Sequence, residues 1–168
     1  MVTDTLITRR LILRRPKLSD LDSFARYCAS DRAHFQGGAV DAEEAFDRFA
    51  MLVGHWELRG HGRYVIERSG VAIGHTGLLT EVSGDNSFSW ALWDKSVEGQ
   101  GYAFEAAYAA ARHLLIDCGW ANLRILIQKA NTASRALAER LGAKLTDRPA
   151  PDWYKGALTY ALTAEGFS

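Results

Sequence analysis

The stretch Val97-Glu98-Gly99-Gln100-Gly101-Tyr102-Ala103-Phe104-Glu105-Ala106-Ala107 constrains the fold more than any other part of the chain. Two glycines, one residue apart, follow a predicted strand and open directly into an alanine-rich helical run. Glycine at 99 and 101 frees the backbone for positive φ and removes the Cβ that would block a ligand's approach. The helix beginning there presents unpaired N–H groups and the positive end of its dipole, which suits a phosphate or pyrophosphate. A tight strand-to-helix turn with no ligand has the same spacing, so this motif needs a second signal.

That signal lies about thirty residues on, in Asn131-Thr132-Ala133-Ser134-Arg135-Ala136-Leu137-Ala138-Glu139-Arg140-Leu141-Gly142-Ala143. Asn131 follows the alternating run Leu123–Gln128 and suits the N-cap of a helix whose third residue is Ser134. Gly142 stands where a left-handed residue ends a helix. Together the two motifs resemble the GNAT acetyltransferase superfamily. Leu6-Ile7-Thr8-Arg9-Arg10-Leu11-Ile12-Leu13-Arg14-Arg15-Pro16 and Ile73-Gly74-His75-Thr76-Gly77 resemble, more narrowly, the RimJ/RimL branch of ribosomal-protein N-terminal acetyltransferases. The resemblance spans about residues 5 to 165.

It implies acetyl-CoA as donor, with coenzyme A bound by Glu98, Gly99, Gln100, Gly101, Tyr102 and Ala103 at the pyrophosphate. Leu92 and Trp93 would meet the pantetheine and thioester through the strand backbone, and Asn131 and Ser134 would meet the pantetheine arm. The same two helix-start residues are the catalytic candidates. By the resemblance, a backbone N–H near Leu92 or Trp93 stabilises the thioester oxyanion, while the Ser134 hydroxyl protonates the departing thiolate. Read from local geometry alone, Ser134 completes a helix start and Asn131 caps it.

Periodicity gives the order β-α-α-β-β-β-α-β-α-β-β. Leu6–Arg14 reads as a strand, Ser19-Asp20-Leu21-Asp22 caps a helix to about Ser30, and a second helix runs from Asp41 to about Arg59. Strands follow at 63–68, 71–81 and 87–93, then the glycine-loop helix to about Cys118. Strand 123–128, helix 132–141 and strands near 144–146 and 157–162 complete the chain. The expected fold class is α/β (α+β): one GNAT domain over residues 1–168, its mixed sheet splayed between the fourth and fifth strands.

Twenty basic and twenty acidic residues cancel, so no global field favours nucleic acid or an anionic membrane. Arg9, Arg10, Arg14 and Arg15, alternating in one strand, read as a solvated, ion-paired surface. Cys28 and Cys118 lack metal or redox spacing and read as reduced residues of a cytoplasmic protein. No metal is expected. Nor does any apolar run reach bilayer length. A homodimer is an allowed arrangement.

The sequence departs from the family pattern at two places. Ser87 stands where many relatives carry a glutamate base, leaving Glu81, Asp85 and His75 as substitutes by proximity. Glu98 replaces a glutamine or arginine and is expected to offer only its backbone to the phosphates. Glu105, in the first helical turn, reads as a partner of the helix dipole. The acceptor, a protein N-terminal amine or a small-molecule amine, should meet His34, Phe35, Gln36, Gly37, Gly38, Trp153 and Tyr154. A sensor that binds acetyl-CoA without turnover would keep the glycine loop and lack a base. A P-loop protein would need G-K-[S/T] after the glycines, which this chain does not have.

Overall fold

The computed structural model describes residues 1–167. Two short strands, β1 (Thr5–Ile7) and β2 (Ile12–Arg14), precede α1 (Leu21–Cys28) and α2 (Ala42–Arg59). Then come β3 (Arg63–Arg68), β4 (Val71–Thr80), β5 (Asn86–Leu92), α3 (Tyr102–Arg112), β6 (Leu123–Gln128), α4 (Thr132–Arg140), β7 (Lys144–Leu145) and β8 (Ala157–Leu162). The α2 boundaries follow from local chemistry. The Asp41 side chain accepts from the Glu44 N–H at the start, and left-handed Gly60 closes the end. Its buried residues, Ala45, Phe49, Leu52 and Trp56, recur at helical spacing.

The N-terminal segment departs from expectation. Leu6–Arg14 is not one strand but a hairpin, with Leu6 opposite Leu13. The Thr8 N–H donates to the Leu11 carbonyl at 2.9 Å, and the Thr8 hydroxyl accepts from the Leu11 N–H. Glu105, reaching over from α3, fixes the turn by accepting from the Thr8 hydroxyl (2.6 Å), the Arg10 N–H (2.9 Å) and Arg10 Nε (2.6 Å). Glu105 thus clamps a hairpin as well as standing in the first helical turn. The arginines therefore do not alternate along one strand, though ion pairing is extensive. Arg14 bridges Asp20 (2.8 Å) and Glu67 (2.5 Å), and Arg15 bridges Asp4 and Glu57.

The strands form two sheets, β1-β2-β3-β4-β5 and β6-β8-β7, and every hydrogen-bonded neighbour is antiparallel. One face of the larger sheet packs Leu13, Tyr64, Ile66, Leu78 and Phe88 against α3 residues Tyr102, Ala106 and Ala110. The other packs Val65 against α1 and α2 through Phe24, Tyr27, Phe49 and Leu52.

The sheets meet where β5 and β6 begin. Asn86 Nδ2 donates to the Asn122 carbonyl, Asn86 Oδ1 accepts from the Arg124 N–H, and Arg124 Nε donates to the Asn86 carbonyl. Buried Arg124 also pairs with Glu81. The two strands thus start side by side. At their far ends, Trp90 to Leu92 and Asn131 to Ser134 line a common cavity. This is the expected splay: β5 and β6 are the fourth and fifth strands of the order read from the sequence, in which residues 6–14 counted as one.

Candidate active site

The cavity at the split measures about 700 Å³. Trp90, Ala91 and Leu92 line it from β5, Glu98, Gly99 and Ala103 from the glycine loop and α3, and Asn131 and Ser134 from α4. A smaller cavity of about 260 Å³ shares Leu92, Gly99 and Ala103 and continues past Gly101 and Tyr102 to Arg140. The two form a path from the sheet opening to the start of α3.

Gly101 is the N-cap of α3, at φ +81°, in the left-handed region where a Cβ is disfavoured. Its carbonyl accepts the Glu105 N–H, so the preceding N–H groups of the first turn have no partner within the helix. Cations surround this end. Arg10 donates to the Gln100 carbonyl at 2.8 Å and stacks over Tyr102, and Arg140 lies 3.8 Å from the Phe104 ring centroid. A diphosphate group fits these donors.

Glu98 contributes more than a backbone. Its carboxylate pairs with Arg32 at 2.6 Å, and Arg32 Nη2 also donates to the Leu92 carbonyl at 2.9 Å. The negative charge that departs from the family pattern is thereby matched inside the cavity.

The two strand-end positions separate clearly. The Trp93 N–H is spent on the Ile73 carbonyl at 2.8 Å, so it is not an oxyanion donor, and Trp93 lines neither cavity. Strand alternation then turns the N–H and carbonyl of Leu92, opposite Gly74, away from β4 and toward the split. Gln100 also lies outside both cavities. Its amide donates to the Ser96 carbonyl and its Oε1 accepts from the Tyr102 hydroxyl.

Asn131 caps α4, its Oδ1 accepting the Ser134 N–H at 3.2 Å. The cap therefore uses the backbone of Ser134. Among the described residues the Ser134 hydroxyl has no hydrogen-bond partner, and it lines the cavity.

None of the three substitute bases is free at this cavity. Glu81 pairs with Arg124, and Asp85 with Arg148 at 2.7 Å, which holds the Asp85 carboxyl below its usual range. His75 is 3% exposed, and burial pushes its imidazole well below the ordinary range. Its Nδ1 accepts from Trp93 Nε1 at 2.9 Å.

Of the expected acceptor residues, His34, Phe35 and Gln36 line the main cavity, while Gly37 and Gly38 do not. The Tyr154 hydroxyl donates to the Phe35 carbonyl at 2.6 Å, tying the segment before β8 to the loop after α1. Trp153 stacks on Tyr154 and lines a further cavity of about 300 Å³ between the sheet and the first two helices. Tyr27 and Gln36 line both this space and the main cavity. Sequence reasoning missed Arg32, Arg140, Tyr27 and Arg63. For Arg63 a signal existed: in Arg63-Tyr64-Val65-Ile66 it has the same parity as buried Val65.

Residues 10–144 match the family model described as "Acetyltransferase (GNAT) domain". An acetyltransferase from Agrobacterium tumefaciens is 29% identical, with a TM-score of 0.88, covering 96% of this chain and 95% of its own. A protein from Bordetella pertussis assigned to the GNAT acetyltransferases is 25% identical, with a TM-score of 0.78, covering 95% and 99%. RimL, a ribosomal L7/L12 alpha-N-protein acetyltransferase solved with coenzyme A, shares the fold at 18% identity and a TM-score of 0.73, covering 94% and 96%. No curated protein sequence matches the chain.

Proposed function

Since the chain belongs to the GNAT acetyltransferase family and is thereby an acetyl-CoA-dependent N-acetyltransferase, we propose that it moves the acetyl group to a primary amine by direct attack in a ternary complex. Residues 1–168 act as one domain in this reading. One observation carries it: the cavity that starts at the N-terminus of α3 passes the inward-turned Leu92 backbone and the unbonded Ser134 hydroxyl. It then reaches an opening lined by Tyr27 and Gln36. Donor and acceptor can enter from different sides and meet at the split.

The donor supplies the thioester carbonyl. The first-turn N–H groups of α3, with Gly99 and Gly101 leaving their approach clear, hold its diphosphate, and Arg140 adds positive charge beside them. The Leu92 N–H stabilises charge on the carbonyl oxygen. Ser134 donates a proton to the departing thiolate and regains one from the attacking nitrogen, so the proton that the amine loses ends on the thiol.

A covalent acetyl-enzyme is not needed, and neither cysteine suits one. Cys28 is buried, and burial pushes its thiol up, away from the reactive thiolate. The Cys118 thiol lies beside His113 and the Met1 carbonyl.

The acceptor is a protein N-terminal amine or a small-molecule amine. A protein terminus is favoured by the resemblance to the RimJ/RimL branch, and a cytoplasmic setting goes with it. Among the described residues no helix is long and apolar enough to cross a membrane. Thiol release from acetyl-CoA across a panel of primary amines and peptide N-termini tests the proposal. Turnover with at least one class supports it. Tight acetyl-CoA binding with no turnover on any acceptor would instead make the chain a sensor.

A further inference from the structure

The cavity of about 300 Å³ between the sheet and the first two helices contains polar groups that the fold leaves unpaired. Arg63 and His75 sit on the same face of β3 and β4, with Val65 opposite His75 and Gly77 opposite Arg63. Both line the cavity. Trp93 Nε1 donates to His75 Nδ1, so the neutral ring carries its proton on Nε2. That Nε2 is buried without a partner, and so is Arg63 Nε.

Among the described residues Arg63 has no ion pair or side-chain hydrogen bond, whereas Arg48 at the same cavity is paired with Glu44 at 2.7 Å. Burial lowers the Arg63 guanidinium to about 10, which still leaves it charged at neutral pH. Arg63 is half-buried with its Nε fully enclosed, so two buried donors, Arg63 Nε and His75 Nε2, carry a desolvation cost that a group accepting from both would remove. The backbone enforces the site. A Cβ on Gly77 would meet the Gly62 carbonyl oxygen at 2.5 Å and the Arg63 Cα at 2.9 Å, so β3 keeps this position only against glycine.

We infer that this cavity is the acceptor's anchoring subsite, and that the acceptor is a primary amine bearing a carboxylate that accepts from Arg63 and His75. This rests on the acetyl-transfer reading above and narrows its substrate. A carboxylate matches the donors in charge and in its two accepting oxygens. Tyr27 and Gln36, shared with the main cavity, place the anchored end next to the split where the amine must react. The carboxylate can come from a free amino acid or from the acidic first residue of a peptide.

The test compares kcat/KM, at saturating acetyl-CoA, for matched acceptors: free amino acids against their amides, and peptides starting with Asp or Glu against those starting with Asn or Gln. Wild type should prefer the acid by about 10- to 100-fold in at least one arm, the scale expected when a charge-assisted hydrogen bond to partly desolvated donors is lost. The arm showing the preference identifies the source. Arg63→Met should abolish the preference by lowering kcat/KM for the acid toward that of the matched amide, with acetyl-CoA affinity the check that the donor site is intact, and His75→Gln should reduce it. Should Arg63→Met fail to fold, the wild-type acid-to-amide ratio still decides. Equal rates for acid and amide would overturn the inference and leave the acetyl-transfer proposal standing. Acid preference that persists in folded Arg63→Met would overturn it too. No turnover on any amine would instead sink the proposal beneath it.

Discussion

Ser134 and Asn131 show how a residue's place in a motif and its use in the molecule can come apart. Their spacing allowed either a plain helix start or a ligand contact. The structure divides the work: Asn131 caps through its side chain, and Ser134 takes part through its backbone N–H, leaving the hydroxyl unbonded at the cavity. Ser134→Ala should therefore keep the cap. It should lower kcat by roughly ten- to a hundred-fold, the range for a lost acid catalyst, with the acetyl-CoA dissociation constant little changed. Single-turnover rates and melting temperature on one preparation check this. An unchanged rate would leave Ser134 a helix residue. Other residues were illegible because their roles depend on contacts distant in sequence. Arg32 meets Glu98 66 positions away, and the Trp93 N–H is consumed by a strand partner that no local pattern names. The face shared by Arg63 and His75 depends on strand register in the same way.

The elements that local chemistry determines were the legible ones. Asp41 and Gly60 bound α2 as caps, and the glycine loop and Asn131 start α3 and α4. The hairpin at the N-terminus was hidden because Thr8-Arg9-Arg10, between the apolar pairs of Leu6 to Arg14, has no Gly, Pro or Asn to mark a turn. The turn is stabilised by Glu105, 95 residues beyond Arg10. Gly99 tests the donor element. It sits at φ +71°, and a Cβ there meets nothing within 4 Å, so Gly99→Ala should cost only about 1–2 kcal/mol of backbone strain. Its methyl group would project into space the donor must use. Acetyl-CoA affinity measured by calorimetry should fall about ten-fold or more, equivalent to about 1.4 kcal/mol. Unchanged affinity in the folded variant would move the diphosphate elsewhere.

For the whole molecule, the order of strands and helices from α1 onward was readable because strands and turns follow period and punctuation, whereas the position of the splay came from the family resemblance. The base was not readable, since Glu81 and Asp85 are absorbed into the Arg124 clamp that joins the two sheets. Global stability should carry the imprint of a neutral histidine. His55 Nε2 accepts from the Thr80 N–H at 3.0 Å, tying α2 to β4. Burial first, then His61, Arg59 and Arg63 nearby, push His55 from 6.5 down to about 4. The unfolded chain thus binds this proton more readily, so the stability it contributes is complete above about 6.5 and is lost as pH falls toward about 4. Melting temperature should decline across that window, and His55→Gln should show a shallower decline. Identical slopes would remove His55 from the account.

The central claim is direct transfer at the split between the two sheets, and rapid-quench mixing with acetyl-labelled acetyl-CoA tests it most directly. Without amine the label should stay on coenzyme A. With an accepted amine it should appear on the amine at the turnover rate, with none on the protein at any time. Label that enters the protein and leaves it at the turnover rate would contradict the account.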